Sequence, residues 1–452
     1  MKHLLLPALL FSSLATPVFA QHWQKPASGT YEQRTAKLPI SRPPVKRPNI
    51  VLILGDDMGV NLTGVYAEAT SPPCTPAIDN LATNGLLFRN AWTNPVCSPT
   101  RAALMTGRYG FRTGIGTALT GNSDGLLLTE TTLPQVLSGY DTSAVGKWHL
   151  GGGQDDLHPN AVGFGYFAGV MGGGLPNYEA WNKTTNGVTN STTTYATTDT
   201  ANEGILAINT MQEPWFLYMN FNAPHTPLHV PPTELCSTAF CFAPTCNNLG
   251  MNPSSPDLAK AMVEALDTEL SRFLDALDQV DPDAYVIFMG DNGTAGQNNE
   301  PPFASNHAKG TVYEGGLNVP FIVRGPGVAI GESQALICST DLFATIAELA
   351  GYDTFAEDSV SMVPIFGAPE LSMRSFVYSE TFTPNAPAVA TRHDRAIFDG
   401  RYKLIRKLNT QPEFYDLLMD EFETNNLIPG LTPPQQQARA AMMAELVALG
   451  VN

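Results

Sequence analysis

The sequence predicts an α/β fold: a large, mostly parallel sheet sandwiched by helices, with a smaller C-terminal α+β subdomain that contains an antiparallel sheet. Three observations predict it. Short, almost wholly apolar runs recur along the first three quarters of the chain. Such runs form strands buried on both faces, which is the habit of parallel sheets. Amphipathic stretches with three- and four-residue apolar spacing separate them, as crossover helices require. After about residue 365 the pattern changes to alternating strands joined by short turns, ending in one more helix.

Residues 1–20, MKHLLLPALLFSSLATPVFA, have a basic start, a short apolar run and small residues at Val18 and Ala20. They are expected to be a secretory leader cut before Gln21, which addresses the chain to the periplasm or the exterior. The apolar run is too short to span a bilayer comfortably, and no later segment is long and apolar enough to span, so the mature chain is expected to be soluble. Residues 21–365 are read as the main α/β domain and 366–452 as the C-terminal subdomain, with 21–47 a polar, Pro-rich lead-in.

The strands expected in the main domain are 49–54 (NIVLIL), 142–146 (TSAVG), 215–221 (WFLYMNF), 284–290 (AYVIFMG) and 319–324 (VPFIVR). A helix is expected over 256–280, where Leu258, Met262, Leu266, Leu270, Phe273, Leu274 and Leu277 line one face. Ser255-Pro256 is its expected cap and first-turn proline. A second helix is expected over 340–350 from Leu342, Ile346 and Leu349, stopped by Gly351. Thr and Asn dominate 176–202, which reads as a loop. In the subdomain, SFVYSETF, RAIFDGRYKLIRKL and EFYDLL are expected strands, with Asp399-Gly400 a hairpin turn. A last helix is expected over roughly 433–449.

A net charge of −17 and the lack of a basic stripe with interleaved aromatics argue against nucleic acid as a partner. An anionic substrate is still compatible, since a local group of cations can reverse the field inside a pocket. The six cysteines are Cys74, Cys97, Cys236, Cys241, Cys246 and Cys338. Three crowd the segment LCSTAFCFAPTCNN, so one local bridge is expected there, with the pairing left open. If Cys97 is reserved for chemistry, five remain, and at least one is an unpaired thiol, most simply a buried inert one.

Polar residues fall at the ends of the apolar runs. Asp56 and Asp57 follow NIVLIL, Asp291 and Asn292 follow AYVIFMG, Lys147 and His149 follow TSAVG, and His225 follows the run that ends in NFNAP. Each has a plain alternative as a turn or surface residue. Ligands of open α/β sheets bind outside the carboxyl ends of the strands, so their coincidence there points to one site. Three carboxylates and an amide oxygen suit a hard cation, Ca²⁺ first and Mg²⁺ or Mn²⁺ next. Without a cation, at least one of Asp56, Asp57 and Asp291 would be driven toward protonation.

The segment NPVCSPTRAALMTGRYGFRTG is the most specific in the chain. Cys97, Pro99, Thr100, Arg101, Leu104 and Thr106-Gly107-Arg108 resemble the signature of the type I sulfatases, members of the alkaline phosphatase superfamily. GDDMG, the cysteine motif, GKWHLG, APHTPLH, GDNG, KGTVYEGG and the RYKL to FYDL run also appear in that family's order, across nearly the whole mature chain. The resemblance implies that a separate formylglycine-generating maturation enzyme oxidises Cys97 to formylglycine, which also joins the metal ligands. Pro99 lies near the start of a helix expected to run through Arg108, so Cys97 sits at a helix N-terminus, where an anion is favoured. A hydrated aldehyde there has one hydroxyl to attack sulfur and a second to expel sulfate afterwards.

By the same resemblance, Arg101 braces the nucleophile and metal site, and Lys147 and His149 contact substrate and nucleophile. His225 and Lys309 bind sulfate and help protonate the leaving oxygen, a role worth roughly 10²–10⁴-fold. Which of the two gives the proton is open. His158, His229 and His307 are weaker candidates for the substrate pocket. The implied substrate is a sulfated carbohydrate or an aryl sulfate. Two other readings stay open: a phosphodiesterase or phosphonate monoester hydrolase of the same superfamily, and a glycan-binding protein without catalysis. A plain thiol nucleophile or a structural cysteine is the alternative for Cys97.

Overall fold

A computed structural model describes residues 46–153, 155–236 and 245–451. The expected leader, nearly all of the lead-in, and Cys241 lie outside the described residues. The first apolar run becomes β1 (Ile50–Gly55), buried along its whole length. Alternate side chains of a strand face opposite ways, and here both ways lead into apolar core. Val51 and Ile53 join one core with Met262, Leu266, Leu270 and Phe273 of the long helix Ser255–Val280. Ile50, Leu52 and Leu54 join the other, with Ala102 and Met105 of the helix Cys97–Thr106 and Leu342 and Ile346 of the helix Asp341–Leu349.

The remaining strands of this sheet are β2 (Leu86–Trp92), β3 (Asp141–Lys147), β4 (Tyr166–Val170), β5 (Trp181–Thr185), β6 (Val188–Thr192), β7 (Trp215–Asn220), β8 (Tyr285–Gly290), β9 (Phe321–Arg324) and β10 (Gly331–Cys338). Their spatial order is β10-β2-β9-β8-β1-β7-β3-β4-β5-β6. The block β8-β1-β7-β3-β4 is parallel throughout. Only β9 and β5 run against the rest, so the sheet is mixed but mostly parallel, as expected. β2 opposes β9, which opposes β8, so β2 also delivers its carboxyl end to the edge shared by the block.

Three expectations need correction, and one strand is an exception that a mostly parallel sheet allows. VPFIVR is antiparallel: the chain leaving β8 loops over the carboxyl edge and returns without a crossover helix, which a parallel strand would need. The stretch 176–202 is not a loop. It holds the β5–β6 hairpin and the start of the helix Ala196–Thr210. Its turn is Asn186-Gly187, both with positive φ, the pair that two-residue hairpins favour. The cap of the long helix is Ser254, whose side chain accepts from the Asp257 N–H, one residue before the expected cap. The Cys97 helix stops at Thr106, because Gly107 turns left-handed at φ +67°.

The C-terminal strands β11 (Val377–Thr383), β12 (Arg392–Phe398), β13 (Tyr402–Lys407) and β14 (Glu413–Asp416) form a separate antiparallel sheet in simple order. The final helix, Pro433–Ala448, packs Met442 and Leu446 into a third core shared with Trp92, Tyr109 and Val312. Among the described residues no helix is long and apolar enough to cross a membrane. The crowded cysteine segment does contain a bridge, Cys236–Cys246, and Cys74 is also disulfide-bonded. Among the described residues Cys97 and Cys338 are free, and both are buried.

Candidate active site

The carboxyl ends of neighbouring strands assemble the site. The ladder continues past them: Asp56 N donates to Ala223 O at 3.1 Å, and Asp291 N donates to Gly55 O at 3.0 Å. The loops after β1, β7 and β8 are thereby stitched together before any side chain acts. Asp56, Asp57, Asp291 and Asn292 are all buried. Asp57 N donates to Asp291 Oδ1 at 3.1 Å, and Asn292 Nδ2 donates to Asp57 Oδ1 at 2.9 Å.

Cations from three other segments meet these acids. Lys147 Nζ lies 2.5 Å from Asp56 Oδ2, both fully buried, and Lys309 Nζ bonds Asp57 Oδ1. Arg101 sends Nε and Nη2 to Asp291 Oδ2 at 3.2 and 2.8 Å, and Nη1 to Lys147 O at 2.8 Å and Asn220 Oδ1 at 3.0 Å. Burial pushes the Asp57 carboxyl up, but Lys309, then His225 and Lys147, outweigh it and hold it below the usual carboxylate range. Burial and then the Asp56 charge push Asp291 the other way, despite Arg101 and Lys147. Asp291 is therefore the carboxylate that the crowding drives toward protonation.

Cys97 opens its helix and is almost fully buried. Its Sγ lies 3.0 Å from His149 Nδ1, and His149 Nε2 lies 2.9 Å from Leu119 O. A carbonyl accepts only, so Nε2 carries the hydrogen and Nδ1 is left to accept from residue 97. Burial first, and then the Lys147 charge, drive His149 down to about 3, so the ring is neutral. Ser98 Oγ donates to His149 O at 3.0 Å and accepts from Leu119 N at 3.0 Å, tying the helix start to both.

His225 lies with Asp56 and Asp57: one ligand-capable atom of each sits within 4.8 Å of the others. The sequence reading places His225 with the sulfate, not beside the acids. Two buried oxygens in the cluster, Asp56 Oδ1 and Asn292 Oδ1, have no hydrogen-bond partner. Orphan acceptors in a buried acidic cluster are costly unless a cation takes their lone pairs, so the donor set fits a divalent ion.

All ten predicted site residues thus converge on one edge of the sheet. The weaker histidines have other partners. His158 accepts from Trp148 Nε1 at 3.1 Å and meets Leu126 O at 2.9 Å. His307 stacks on Tyr313 at 3.6 Å, and His229 Nε2 meets Tyr195 OH at 2.9 Å. Sequence reasoning missed Asn220, the Leu119 carbonyl and the glycines that follow β4. A backbone carbonyl leaves no mark in a sequence, but Asn220 at a strand end did.

The family model described as Sulfatase matches residues 48–352, which takes in every site residue above. The chain belongs to the sulfatase family. A second model, N-sulphoglucosamine sulphohydrolase, C-terminal, matches residues 305–451 of this chain. Arylsulfatase G of Rattus norvegicus is 32% identical over 362 residues, covering 68% of this chain and 65% of that protein. N-acetylgalactosamine-6-sulfatase of the same species is 32% identical over 349 residues, covering 67% and 62%. The chain thus spans somewhat less than two thirds of these relatives. Among solved structures, Ps i-CgsB in complex with k-i-k-neocarrahexaose superposes with a TM-score of 0.75 at 26% identity, covering 89% of this chain and 92% of that one.

Proposed function

We propose that the chain hydrolyses sulfate esters of carbohydrate, using Cys97 matured to formylglycine and a divalent cation, Ca²⁺ first. The observation that carries this reading is the placement of Cys97. It sits at a helix N-terminus, 3.0 Å from a neutral imidazole, at the sheet edge that gathers four acidic or amide ligands and four basic side chains. The cation would be held by Asp56, Asp57, Asp291, Asn292 and the side chain of residue 97; when bound, it lets the paired carboxylates ionise together and polarises sulfate oxygens. Residues 1–20 support export, and the relatives' names support a sulfated sugar as substrate.

The chain's own residues divide the remaining work. His149 Nδ1 can accept a hydrogen bond from residue 97 and so orient it, because Leu119 O holds the other nitrogen as donor. Arg101 touches Asp291, the Lys147 carbonyl and Asn220 at once, so it positions rather than reacts. Lys147, Lys309 and His225 offer donors where sulfate charge spreads in the transition state, inside a site where such donors are strongest.

The test is turnover of nitrophenyl sulfate, nitrophenyl phosphate and its diesters, together with a screen of sulfated oligosaccharides. Peptide mass across residues 90–108 reports maturation. Sulfate release should dominate, vanish in Cys97→Ala, and be lost on chelation and restored by Ca²⁺. Faster turnover of a phosphodiester, or glycan binding with no sulfate release by matured protein, would sink the reading.

A further inference from the structure

Three glycines in a row, Gly172 to Gly174, follow β4. None has a left-handed backbone, so conformation does not demand glycine at these positions. Space does at Gly173, and it is tight at Gly174. A Cβ on Gly173 would stand 2.4 Å from Cε1 and Nε2 of His149 and 3.0 Å from its Nδ1. A Cβ on Gly174 would stand 3.2 Å from His225 Cε1 and 3.5 Å from its Nδ1. A Cβ on Gly172 would meet nothing within 4 Å.

The His149 ring cannot step aside cheaply. Both its nitrogens are engaged, by Cys97 Sγ and by Leu119 O, and the side chain is buried. Its backbone is held as well. Trp148 N donates to Val170 O at 2.9 Å and His149 N to Met171 O at 3.1 Å, so the segments leaving β3 and β4 run on as a pair beyond the strands. His149 itself sits at φ +54°, which the surrounding contacts must enforce. His225 is pinned by Nδ1 to Thr226 O at 2.9 Å and through its own carbonyl by Tyr178 OH at 2.7 Å.

We propose that Gly173 and Gly174 form a bare backbone seat that positions both imidazoles of the site, Gly173 acting on His149 and Gly174 on His225. This inference rests on the reading of the site given above. Gly173 is a positioning residue: a methyl there drives the His149 ring off residue 97, while the lysines that meet the sulfate keep their places. A displacement of about 1 Å in a reacting geometry costs on the order of 10²-fold in rate. The loss should therefore fall on kcat and leave KM nearly unchanged.

The experiment uses the full, matured chain carrying Gly172→Ala, Gly173→Ala, Gly174→Ala, His149→Ala, and His149→Ala with Gly173→Ala. Turnover of nitrophenyl sulfate and the thermal midpoint are measured for each. Gly172→Ala should match the parent. Gly173→Ala should lose about 10²-fold in kcat, Gly174→Ala less, and Gly173→Ala should lower the midpoint. In the His149→Ala background the space of the missing ring accepts the methyl, so Gly173→Ala should lower the midpoint little further. Equal drops in both backgrounds overturn the proposal, as does parental kcat in Gly173→Ala. Should Gly173→Ala fail to fold, recovery of folding in the double variant supports the proposal, and its failure overturns it. The midpoint cycle needs no sulfate turnover, so it separates failure of this inference from failure of the functional reading.

Discussion

Lys309 and His225 both stand beside Asp57 and both are partly buried. Burial lowers Lys309, but Asp57 and then residue 97 and Asp56 more than reverse this, so it is held well above its ordinary value and stays charged. A cation that firmly protonated is a poor proton donor, since donors work best with a pKa near the working pH. That leaves Lys309 to hold sulfate, and His225, the imidazole that stands with Asp56 and Asp57, to be tested as the donor to the leaving oxygen. With a series of sulfate esters of increasingly basic leaving groups, His225→Ala should lose rate most on alkyl sulfates, by roughly 10²–10⁴-fold, and least on nitrophenyl sulfate. Lys309→Ala should lose rate evenly across the series. The reverse pattern would exchange the two roles.

The long helix Ser255–Val280 holds neighbouring backbone through its buried acids. Asp267 accepts the N–H of Ala77 and of Ile78, each at 2.9 Å, and so caps the helix Pro76–Thr83 from outside. The cap residue of that helix, Thr75, makes no such bond with its own side chain. Burial pushes the Asp267 carboxyl from an ordinary 3.8 up to about 7, against the pull of the two backbone donors. The folded value lies above the unfolded one, so the folded state holds the proton longer. Its contribution to stability is complete below 3.8 and drains away as pH rises through about 7. Thermal melts across that window should show the parent losing stability with pH more steeply than Asp267→Asn. Parallel curves for the two proteins would refute this assignment.

At the scale of the molecule, the C-terminal sheet is tied to the site loop by a buried charge. Lys403 of β13 is fully buried, 2.8 Å from Glu314 Oε1 and 2.8 Å from Glu423 Oε1, and 4.7 Å from the Trp92 ring centroid. Glu314 belongs to the same KGTVYEGG segment as Lys309. Lys403→Met leaves two buried carboxylates without their cation, which should cost about 3–5 kcal/mol by urea unfolding. Adding Glu314→Gln and Glu423→Gln should restore most of it. An unchanged midpoint in the single variant would show that the charges are solvated instead.

Much of this molecule was legible before its coordinates. Buried strands are apolar on both faces, so their runs stand out, and the polar residues that break them mark the carboxyl edge. The Cys97 helix carries its own start in Pro99, although its end at Thr106, before Gly107, was read two residues late, at Arg108. These are local properties, set within a turn or a strand. The tertiary structure alone decided which lysine meets which aspartate, that His149 accepts at Nδ1, that His225 stands beside the acids, and that β9 runs backwards. It alone gave Gly173 a reason to be glycine. Each of these depends on a distance of a few ångströms between groups far apart along the chain. Such distances are set by strand order and by the packing of the two cores, which no local pattern records.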